Sequence, residues 1–310
     1  MQTEGALTMR CAVVGGANID IGGFPDAAAV MEDYNPGRVR RSAGGVGRNI
    51  ACTLARLGVE THLVTALGGD VFAQIIRADC RDAGVDLENA LTFDANSNVY
   101  LYIADHAGDM RLAVSDMALC DRLTPAALQD RLPMLNALDA VVLDANLPQD
   151  TLRWLSESVR VPLIADAVST AKALRLLPAL PRLHALKPNA LEAEALTGVP
   201  VTDAATAEAA ARRLTDRGVR QVFVTLGKQG VLCADANGAA FIPGPPVRLV
   251  NATGAGDAFT AALAWAQLNG LGLIESTRAG MTAAAITVES PDAVSRDISP
   301  EAIEKRMHIQ

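Results

Sequence analysis

Short apolar runs alternate with helical patterns along most of the chain. Five of these runs have the length of buried strands, at positions 11–14, 62–66, 140–143, 162–165 and 221–225. Strands that alternate with helices connect through crossovers, so this pattern predicts a mostly parallel sheet with helices on both faces. We therefore expect an α/β fold: a layered α/β/α body with a mostly parallel central sheet.

Two segments interrupt this alternation. Positions 97–117 carry two apolar runs around the polar stretch 105–109, which predicts a β-hairpin. Positions 22–43 are rich in glycine and proline and too irregular for a crossover helix. Together these segments predict a small β-sheet lid, inserted in a single domain that spans 1–310.

The last third of the chain predicts one more hairpin and then helices. The hairpin is expected at 230–242, where Asn237-Gly238 supplies residues that tolerate the positive φ of a tight turn. The pattern then becomes helical at 254–268, at 273–288 and near 300–307.

Composition and charge narrow the functional class. Half of the 310 residues are apolar and a fifth are charged, so the chain can bury a large core. The formal net charge is −8 and the basic residues are scattered, which argues against a nucleic-acid partner. No run approaches the ~18 apolar residues that a bilayer crossing needs, and the first residues lack a leader pattern. We expect a cytoplasmic protein with no membrane partner.

The five cysteines and four histidines show no metal-ligand spacing. No Cys-x-x-Cys pair occurs and most cysteines fall inside apolar patterns, so we expect buried, reduced thiols. A transition-metal site made by the protein is therefore not expected.

The strongest local signal is Asn251-Ala-Thr-Gly-Ala-Gly-Asp257, followed by a helix that is apolar on nearly all faces. A buried helix must still satisfy its first backbone N–H groups, and two glycines let an anion approach them closely. The amides of Gly254, Ala255 and Gly256 would then form an anion hole. Asp257, held ionised by the helix dipole, would act as a general base for a hydroxyl. In the alternative interpretation Asp257 only balances the dipole and the glycines only permit packing.

A second glycine cluster, at positions 44–49, opens another predicted helix. Gly44 and Gly45 allow a ligand close to the backbone, and Asn49 offers both a donor and an acceptor to sugar hydroxyls. A dinucleotide-binding turn is the rival interpretation. Against it, the motif Gly-x-Gly-x-x-Gly is absent and no strand is predicted directly before the glycines.

Polar residues also close several predicted strands, where α/β sheets bind ligands. Asn18 and Asp20 follow the first strand, and Asp116, Asn146 and Asp166 follow later ones. Asp20 can accept hydrogen bonds from two sugar hydroxyls or can be a simple turn residue, and the two interpretations stand equal.

The run Lys187-Pro-Asn189-Ala-Leu-Glu192 has two compatible interpretations. Asn189 followed three residues later by Glu192 is typical of a capping box at a helix start. The functional interpretation places both residues near phosphates and a hydrated Mg²⁺, with Lys187 as a further nucleotide-binding candidate.

The segment Thr225-Leu-Gly227-Lys-Gln-Gly230 closes a strand with two glycines, as expected for a loop under a nucleotide. The P-loop signature Gly-x-x-x-x-Gly-Lys-[Ser/Thr] does not occur in the chain. Phosphate binding is therefore expected at Gly254 to Asp257 instead.

With these glycine clusters in this order, the chain resembles the ribokinase-like (PfkB) carbohydrate kinases over nearly its whole length. The resemblance rests on GGVGRNIACTLARLG at 44–58 and NATGAGDAF at 251–259, with an early Asn-x-Asp and an Asn-x-x-Glu between them. It implies ATP and Mg²⁺ as cosubstrates, a small-molecule sugar or nucleoside as substrate, and a homodimer formed through the lid.

The resemblance also implies roles for the candidate residues. Asp257 matches the catalytic base of the family, and the three preceding residues match its anion hole. The other matched positions are Asp20, Gly45 and Asn49 for the sugar, Asn189 and Glu192 for phosphate and Mg²⁺, and Thr225, Gly227 and Gly230 for the nucleotide. We add Asn18, Asn35 and Asp116 as candidate substrate contacts.

Several stretches resemble the family members that phosphorylate pseudouridine more than those that act on ribose or fructose, among them GGANIDIGG at 15–23. This resemblance implies transfer to the ribose 5′-hydroxyl of pseudouridine. A kinase for ribose, another nucleoside or a related sugar is the alternative within the family. A non-catalytic sugar or nucleoside sensor is the alternative from another class. Asn251 replaces an Asp that helps many members hold a monovalent cation, so activation by K⁺ is left open.

Overall fold

The computed structural model describes residues 8–105 and 110–307, and a large sheet forms its centre. The strands of this sheet are β1 Arg10–Val14, β4 Glu60–Val64, β6 Val85–Asp86, β10 Ala140–Asp144, β11 Leu163–Asp166, β12 Ala185–Lys187, β13 Gln221–Thr225, β14 Gly230–Asp235 and β15 Gly238–Pro243. Their order is β15-β14-β13-β12-β11-β10-β1-β4-β6. All pairs from β6 to β13 are parallel, whereas β14 and β15 are antiparallel additions at one edge.

Helices cover both faces of the sheet. They are α1 Val46–Arg56, α2 Val71–Asp82, α3 Pro125–Leu128, α4 Leu132–Leu135, α5 Gln149–Ser158, α6 Thr170–Ala173, α7 Ala190–Thr197, α8 Ala204–Asp216, α9 Ala255–Leu268, α10 Leu273–Val288 and α11 Pro300–Met307. Cys11 and Val13 pack in one core with α1, α9 and α10, whereas Ala12 and Val14 pack in another with α5 and α8. Alternate residues of a single strand thus face opposite helical layers. No described helix combines the length and hydropathy that crossing a membrane requires.

A smaller, separate sheet of four strands stands beside the body. Its strands are β2 Asn18–Pro25, β3 Gly37–Gly44, β8 Val99–Ala104 and β9 Met110–Asp116, in the order β3-β2-β8-β9. The central pair β2–β8 is parallel and the outer pairs are antiparallel. A two-stranded pair, β5 Ala66–Leu67 and β7 Leu91–Thr92, completes the strands.

The predicted layered α/β/α body with a separate small sheet is confirmed. The helices expected at the end of the chain correspond to α9, α10 and α11, and the second hairpin corresponds to β14 and β15. Most of the small sheet comes from the segments predicted for the lid, although β2 already begins at Asn18 and residues 106–109 lie outside the described residues. Its action as a lid, and the single domain over 1–310, stay predictions.

Several details of the prediction were wrong. Strand β4 lies two residues earlier than expected, and the two-residue strands β5, β6 and β7 were not expected. Strand β12 was not expected, because it has only three residues and is followed at once by Pro188 and a helix start. The expectation that no strand directly precedes Gly44 is also corrected, since β3 ends there. Residues 37–42 are all exposed, so β3 lacks the apolar pattern that indicates a strand. Because β3 belongs to the small sheet, it does not supply the parallel strand of a dinucleotide-binding unit.

Candidate active site

Three neighbouring strands of the large sheet end in charged residues. β10 ends at Asp144, β11 at Asp166 and β12 at Lys187, and the register places Asp166 between the other two. The three residues are almost completely buried, with exposed fractions of 0%, 2% and 6% in that order. Since ligands bind at the carboxyl ends of parallel strands, this row of charges marks the candidate site.

Lys187 is a fixed positive charge in this row. Its ammonium nitrogen lies 2.7 Å from Asp166 Oδ2, and the Thr260 hydroxyl donates a 2.7 Å hydrogen bond to the same oxygen. Burial alone would lower the pKa of Lys187, but the ion pair and hydrogen bond with Asp166, together with the charges of Glu192 and Asp257, raise it. The ammonium group also lies 3.4 Å from the carbonyl oxygen of Gly256. A protonated lysine therefore stands beside the start of α9.

The turn before α9 has the form predicted for an anion hole. Gly254 is the N-cap with φ +82°, and no side chain in the described part of the chain caps this helix end. A Cβ on Gly254 would overlap with the carbonyl oxygen of Ala293. The first amides of α9, from Ala255 onward, are therefore left for an anion, and only glycine fits at the cap.

Asp257 lies in the first turn of α9 and is tied to α1. The side-chain amide nitrogen of Asn49 donates a 2.7 Å hydrogen bond to Asp257 Oδ2. The Arg48 guanidinium donates in turn to Asn49 Oδ1 at 2.9 Å and pairs with Asp79. Both ends of the Asn49 amide are thus engaged, which fixes its orientation. Asp257 remains partly exposed.

The charge state of Asp257 differs from the expectation. Burial, followed by repulsion from Asp166, raises the pKa of Asp257 to about 7, although Asn49 and Lys187 act in the opposite direction. The helix dipole therefore does not hold this carboxyl at its usual low pKa. A pKa near neutrality is the value that suits a general base working near pH 7.

Asn18 and Asp20 lie at the base of the small sheet, beside the glycines that precede α1. The Asn18 amide donates a 2.7 Å hydrogen bond to Asp20 Oδ1, and burial raises the pKa of Asp20. A Cβ on Gly44 would overlap with the Asp20 carboxylate. Gly45 has φ +99° and would collide with Gly16 if it carried a side chain. Gly44 therefore lets Asp20 lie against the start of α1, and Gly45 lets the turn after β1 approach it.

Asp144 and Asn146 organise the turn after β1. The fully buried Asp144 carboxylate accepts hydrogen bonds from the backbone N–H groups of Gly16 (2.8 Å) and Asn146 (2.9 Å). Asn146 Oδ1 accepts from the ammonium group of Lys172. Burial raises the pKa of Asp144. Asp144 and Lys172 were not among the predicted site residues; Asp144 ends an apolar run and was detectable, whereas Lys172 carries no local signal.

The nucleotide-side candidates gather after β12 and β13. Asn189 and Glu192 form the predicted capping box: Glu192 N donates to Asn189 Oδ1 at 2.9 Å and Asn189 N donates to Glu192 Oε2 at 2.8 Å. Thr225 pairs with Asn189 through an isolated bridge. Gly227 and Gly230 follow in the next turn, both with positive φ.

Glu192 is one of the residues predicted to lie near a hydrated Mg²⁺. It is 3% exposed, and burial raises the pKa of its carboxyl group. In the described part of the chain, no three His, Cys, Asp or Glu side chains are close enough to hold a metal together. Carboxylate oxygens are ligands that Mg²⁺ accepts, and this ion keeps several waters in most sites. Glu192 thus fits a Mg²⁺ that takes its other ligands from phosphates and water.

Two predicted substrate contacts lie apart from this cluster. Asn35 sits in the loop beyond the far end of the β2–β3 hairpin, where its side chain bonds to the backbone of Val30 and Asp33. Asp116 is exposed at the end of β9. Its register neighbour is Val99, so it projects from the side of the small sheet opposite to Asp20.

Asn251 makes contacts that differ from those of a cation ligand. Its side-chain nitrogen donates a 3.0 Å hydrogen bond to the carbonyl oxygen of Pro291, and its oxygen accepts a 2.9 Å bond from Thr253 N. Exchanging the two amide atoms would break both bonds, so their assignment is fixed by the geometry. The Asn251 side chain is neutral and directs its donor at Pro291, so it brings no negative charge to a monovalent cation.

Comparison with known proteins places these features in a family. The model of the pfkB family of carbohydrate kinases matches residues 9–300. Among curated proteins, the chain is 32% identical to the pseudouridine kinase of Escherichia coli (strain K12) over 86% of each chain. It is 35% identical to the uncharacterized sugar kinase YeiI of the same organism, over 89% of this chain and 77% of that protein.

A solved structure agrees with these matches. A carbohydrate kinase from Agrobacterium tumefaciens superposes with a TM-score of 0.87 at 35% identity, covering 97% of both chains.

Proposed function

Since the chain belongs to the pfkB family of carbohydrate kinases, we propose that it transfers the γ-phosphoryl group of ATP to the 5′-hydroxyl of pseudouridine. Membership makes it a phosphotransferase with an alcohol group as acceptor, acting on a sugar or nucleoside. The similarity to the pseudouridine kinase of Escherichia coli supports the finer assignment.

The observation that carries the proposal is the position of Asp257 between an uncapped helix start and the Asn49 amide. Phosphoryl transfer needs a positioned nucleophile and stabilised charge more than covalent help from the protein. Asp257 accepts the proton of the 5′-hydroxyl as that oxygen attacks phosphorus in line. Asn49 keeps the accepting oxygen oriented.

We assign stabilisation of the transferred phosphoryl group to α9 and Lys187. The amides of Ala255 and Gly256 face the oxygens of the transferred phosphoryl group, on which charge is spread during transfer. Lys187 adds a full positive charge beside them, held in place by Asp166. Because these groups are fixed before the substrate arrives, they need no rearrangement at the moment of transfer.

The cosubstrates are assigned to the ends of β12 and β13. Asn189, Thr225, Gly227 and Gly230 would hold ATP, and Glu192 would hold Mg²⁺ through water. When bound, Mg²⁺ neutralises charge on the β- and γ-phosphates. Asn18 and Asp20 would bind the ribose hydroxyls, since the Asp20 carboxylate accepts two hydrogen bonds at once.

A sugar kinase is the second candidate. The chain is more nearly identical to YeiI, which is described as a sugar kinase, than to the pseudouridine kinase. The site residues serve either substrate, because they address hydroxyl groups and phosphates only.

An ADP-release assay with pseudouridine, uridine, ribose and fructose decides between these candidates. We expect pseudouridine to have the highest kcat/KM. A clear preference for ribose or fructose would replace the proposed substrate while keeping the kinase, whereas ligand binding without any ADP release would favour the non-catalytic sensor.

We also propose that two copies of the chain pair through the small sheet. The side opposite to Asp20 carries an aliphatic face, defined by Val39, Leu101, Ile103, Leu112 and Val114. Val39, Leu112 and Val114 are 75%, 60% and 58% exposed. A contiguous exposed apolar surface is typical of an interaction site, and the resemblance to the family favours a second copy as its partner.

Potassium is assigned no role in the proposed reaction. The amide of Asn251 already supplies the positive partner of the Pro291 carbonyl. The bond joins the turn before α9 to the loop that follows α10 and holds the anion hole without a cation.

A further inference from the structure

The small sheet carries an aromatic face on the side of Asp20. The register aligns Asp20 with Tyr100, and two residues further along it aligns Gly22 with both Tyr102 and Arg40. Residues two apart on a strand point to the same side of a sheet. Phe24 lies two residues beyond Gly22 on the same side. We define the aromatic face as Asp20, Phe24, Arg40, Tyr100 and Tyr102.

The rings of this face pack against one another. Tyr102 meets Phe24 edge-on, with ring centroids 5.9 Å apart and an interplanar angle of 88°. Tyr100 lies 6.0 Å from Tyr102 with a tilt of only 35°. The Arg40 guanidinium carbon lies 5.4 Å from the centre of the Phe24 ring. These contacts hold the rings in defined positions.

Gly22 leaves room for the Tyr102 ring because it has no side chain. A Cβ on Gly22 would lie 2.6 Å from both Cζ and Oη of Tyr102. The glycine therefore allows the ring to lie across the surface of β2 instead of standing away from it. All three rings remain partly exposed, so their surfaces are open to a planar ligand.

The aromatic face begins where the proposed sugar site ends. Asp20 is the register neighbour of Tyr100, on parallel strands about 4.8 Å apart. Burial and then the nearby Asp20 charge raise the pKa of Tyr102, which places this hydroxyl within electrostatic range of the carboxylate. A sugar bound at Asp20 would thus direct any ring attached to it along the tyrosines.

Aromatic residues are scarce elsewhere in the molecule. They make up 4% of the chain, and two of its three tyrosines stand on this one face. A sheet that only needs apolar surface can use aliphatic residues, which make up the opposite face. The selective use of flat rings beside Asp20 indicates a ligand that stacks.

We propose that the aromatic face is a subsite for the planar base of a nucleoside substrate, with the base stacked on Tyr100 and Tyr102. The proposal rests on the proposed function, because the sugar bound at Asp20 supplies the attachment point. Stacking addresses the flat surface of a ring and tolerates different bases. This subsite therefore selects nucleosides over free sugars and leaves the choice among bases to other contacts.

Steady-state kinetics of Tyr102→Ala with pseudouridine, uridine and ribose test the subsite. Loss of one stacking partner corresponds to a weakening of about 5- to 150-fold. We expect the KM for nucleosides to rise by such a factor, with the KM for ATP and for ribose unchanged. Tyr102→Phe keeps the ring and should restore the nucleoside KM.

Tyr34→Ala is the matched control, because Tyr34 is the remaining tyrosine, is 84% exposed in the loop between β2 and β3, and belongs to neither face of the small sheet. It should leave every KM unchanged, with the oligomeric state checked by sedimentation. If the rings only stabilise the sheet, Tyr102→Ala would alter all substrates alike and lower the melting temperature, and the proposal would be overturned.

The same measurements separate this proposal from the proposed function. Wild-type protein that phosphorylates pseudouridine with a KM insensitive to Tyr102→Ala would overturn the subsite alone. Protein that rejects pseudouridine but uses another nucleoside in a Tyr102-dependent way would support the subsite and replace the substrate. Protein that accepts only free sugars would overturn both.

Discussion

Asn49 and Asp257 are 208 positions apart in the sequence, yet a 2.7 Å hydrogen bond joins their side chains. Asn49 belongs to the helix that follows the small sheet, and Asp257 belongs to the helix that carries the anion hole. The bond therefore connects the proposed sugar side of the site to its phosphate side. It also leaves the carboxylate with a defined orientation before any substrate binds.

Replacement of Asp257 by Asn should remove the general base while keeping the shape of the site. We expect kcat to fall by about 100-fold or more, with the KM values close to those of the wild type, because positioned bases contribute at least that much. Glu275→Gln is the control, since Glu275 is an exposed first-turn carboxylate of the neighbouring helix α10. A folded Asp257 variant with wild-type turnover would exclude the assigned role.

The pH dependence of kcat/KM should report the pKa of Asp257. Activity should rise with pH through about 7, because the carboxyl must lose its proton before it can accept one. The Asn49 amide stabilises the ionised form, so Asn49→Ala should raise the pKa and move this rise to higher pH. Asn269→Ala, at the other end of α9, should leave the profile in place. If Asn49→Ala left the profile unchanged, the hydrogen bond from Asn49 would not be what lowers the pKa of Asp257.

Gly254 and Gly270 flank α9 and allow a matched comparison. Both have positive φ, +82° and +74°. A Cβ on Gly254 would overlap with the backbone of Ala293, whereas a Cβ on Gly270 would have no described atom within 4 Å beyond its chain neighbours. Gly270→Ala should cost about 1–2 kcal/mol in the free energy of unfolding. Gly254→Ala should cost more and also raise the KM for ATP. Urea denaturation and kinetics measure the two effects, and equal behaviour of the variants would contradict the anion hole.

The Asn251 amide predicts a protein that does not respond to potassium. Wild-type activity and melting temperature should be the same in potassium chloride and in choline chloride of equal ionic strength. Asn251→Asp would set a carboxylate oxygen against the Pro291 carbonyl, so this variant should be destabilised and should recover in K⁺. Asn237→Asp, in the exposed β14–β15 turn, should show no such recovery. Strong activation of the wild type by K⁺ would refute the proposal that the Asn251 amide makes a bound cation unnecessary.

The aliphatic face of the small sheet predicts a homodimer. Leu112→Lys places a charge on the β9 edge of this face and should shift sedimentation from dimer to monomer without loss of folding. Leu177→Lys changes another exposed leucine, outside the small sheet, and should leave the dimer intact. A wild-type protein that sediments as a monomer at micromolar concentration would rule out the pairing.

Local signals explain which parts of the fold and site could be predicted from the sequence. The start of α9 follows from two glycines before an apolar helix, and the Asn189–Glu192 box from a spacing of three residues. These features depend on neighbours in the chain, so periodicity and capping rules find them. Strand β3 depends on pairing with β2, and its exposed residues carry no apolar pattern.

The sequence alone could not predict which residues meet at the site, because this depends on the order of the strands in the sheet. Asp144 and Lys187 become neighbours of Asp166 only because β10, β11 and β12 lie side by side. Nothing near Lys172 in the sequence indicates that its ammonium group reaches Asn146. Asn35 is the opposite case. It is a candidate substrate contact from the sequence, but its side chain bonds to the backbone of its own loop. Its role in substrate binding stays a prediction.

The pairing of Asp166 with Lys187 restricts how this protein can diverge. Removing one partner of a buried ion pair leaves an uncompensated charge, at a cost of about 3–5 kcal/mol. A mutational path through either single change would thus pass through a poorly folded intermediate. Descendants that keep the proposed reaction are therefore expected to retain both residues, since replacing the pair would also remove the positive charge beside α9.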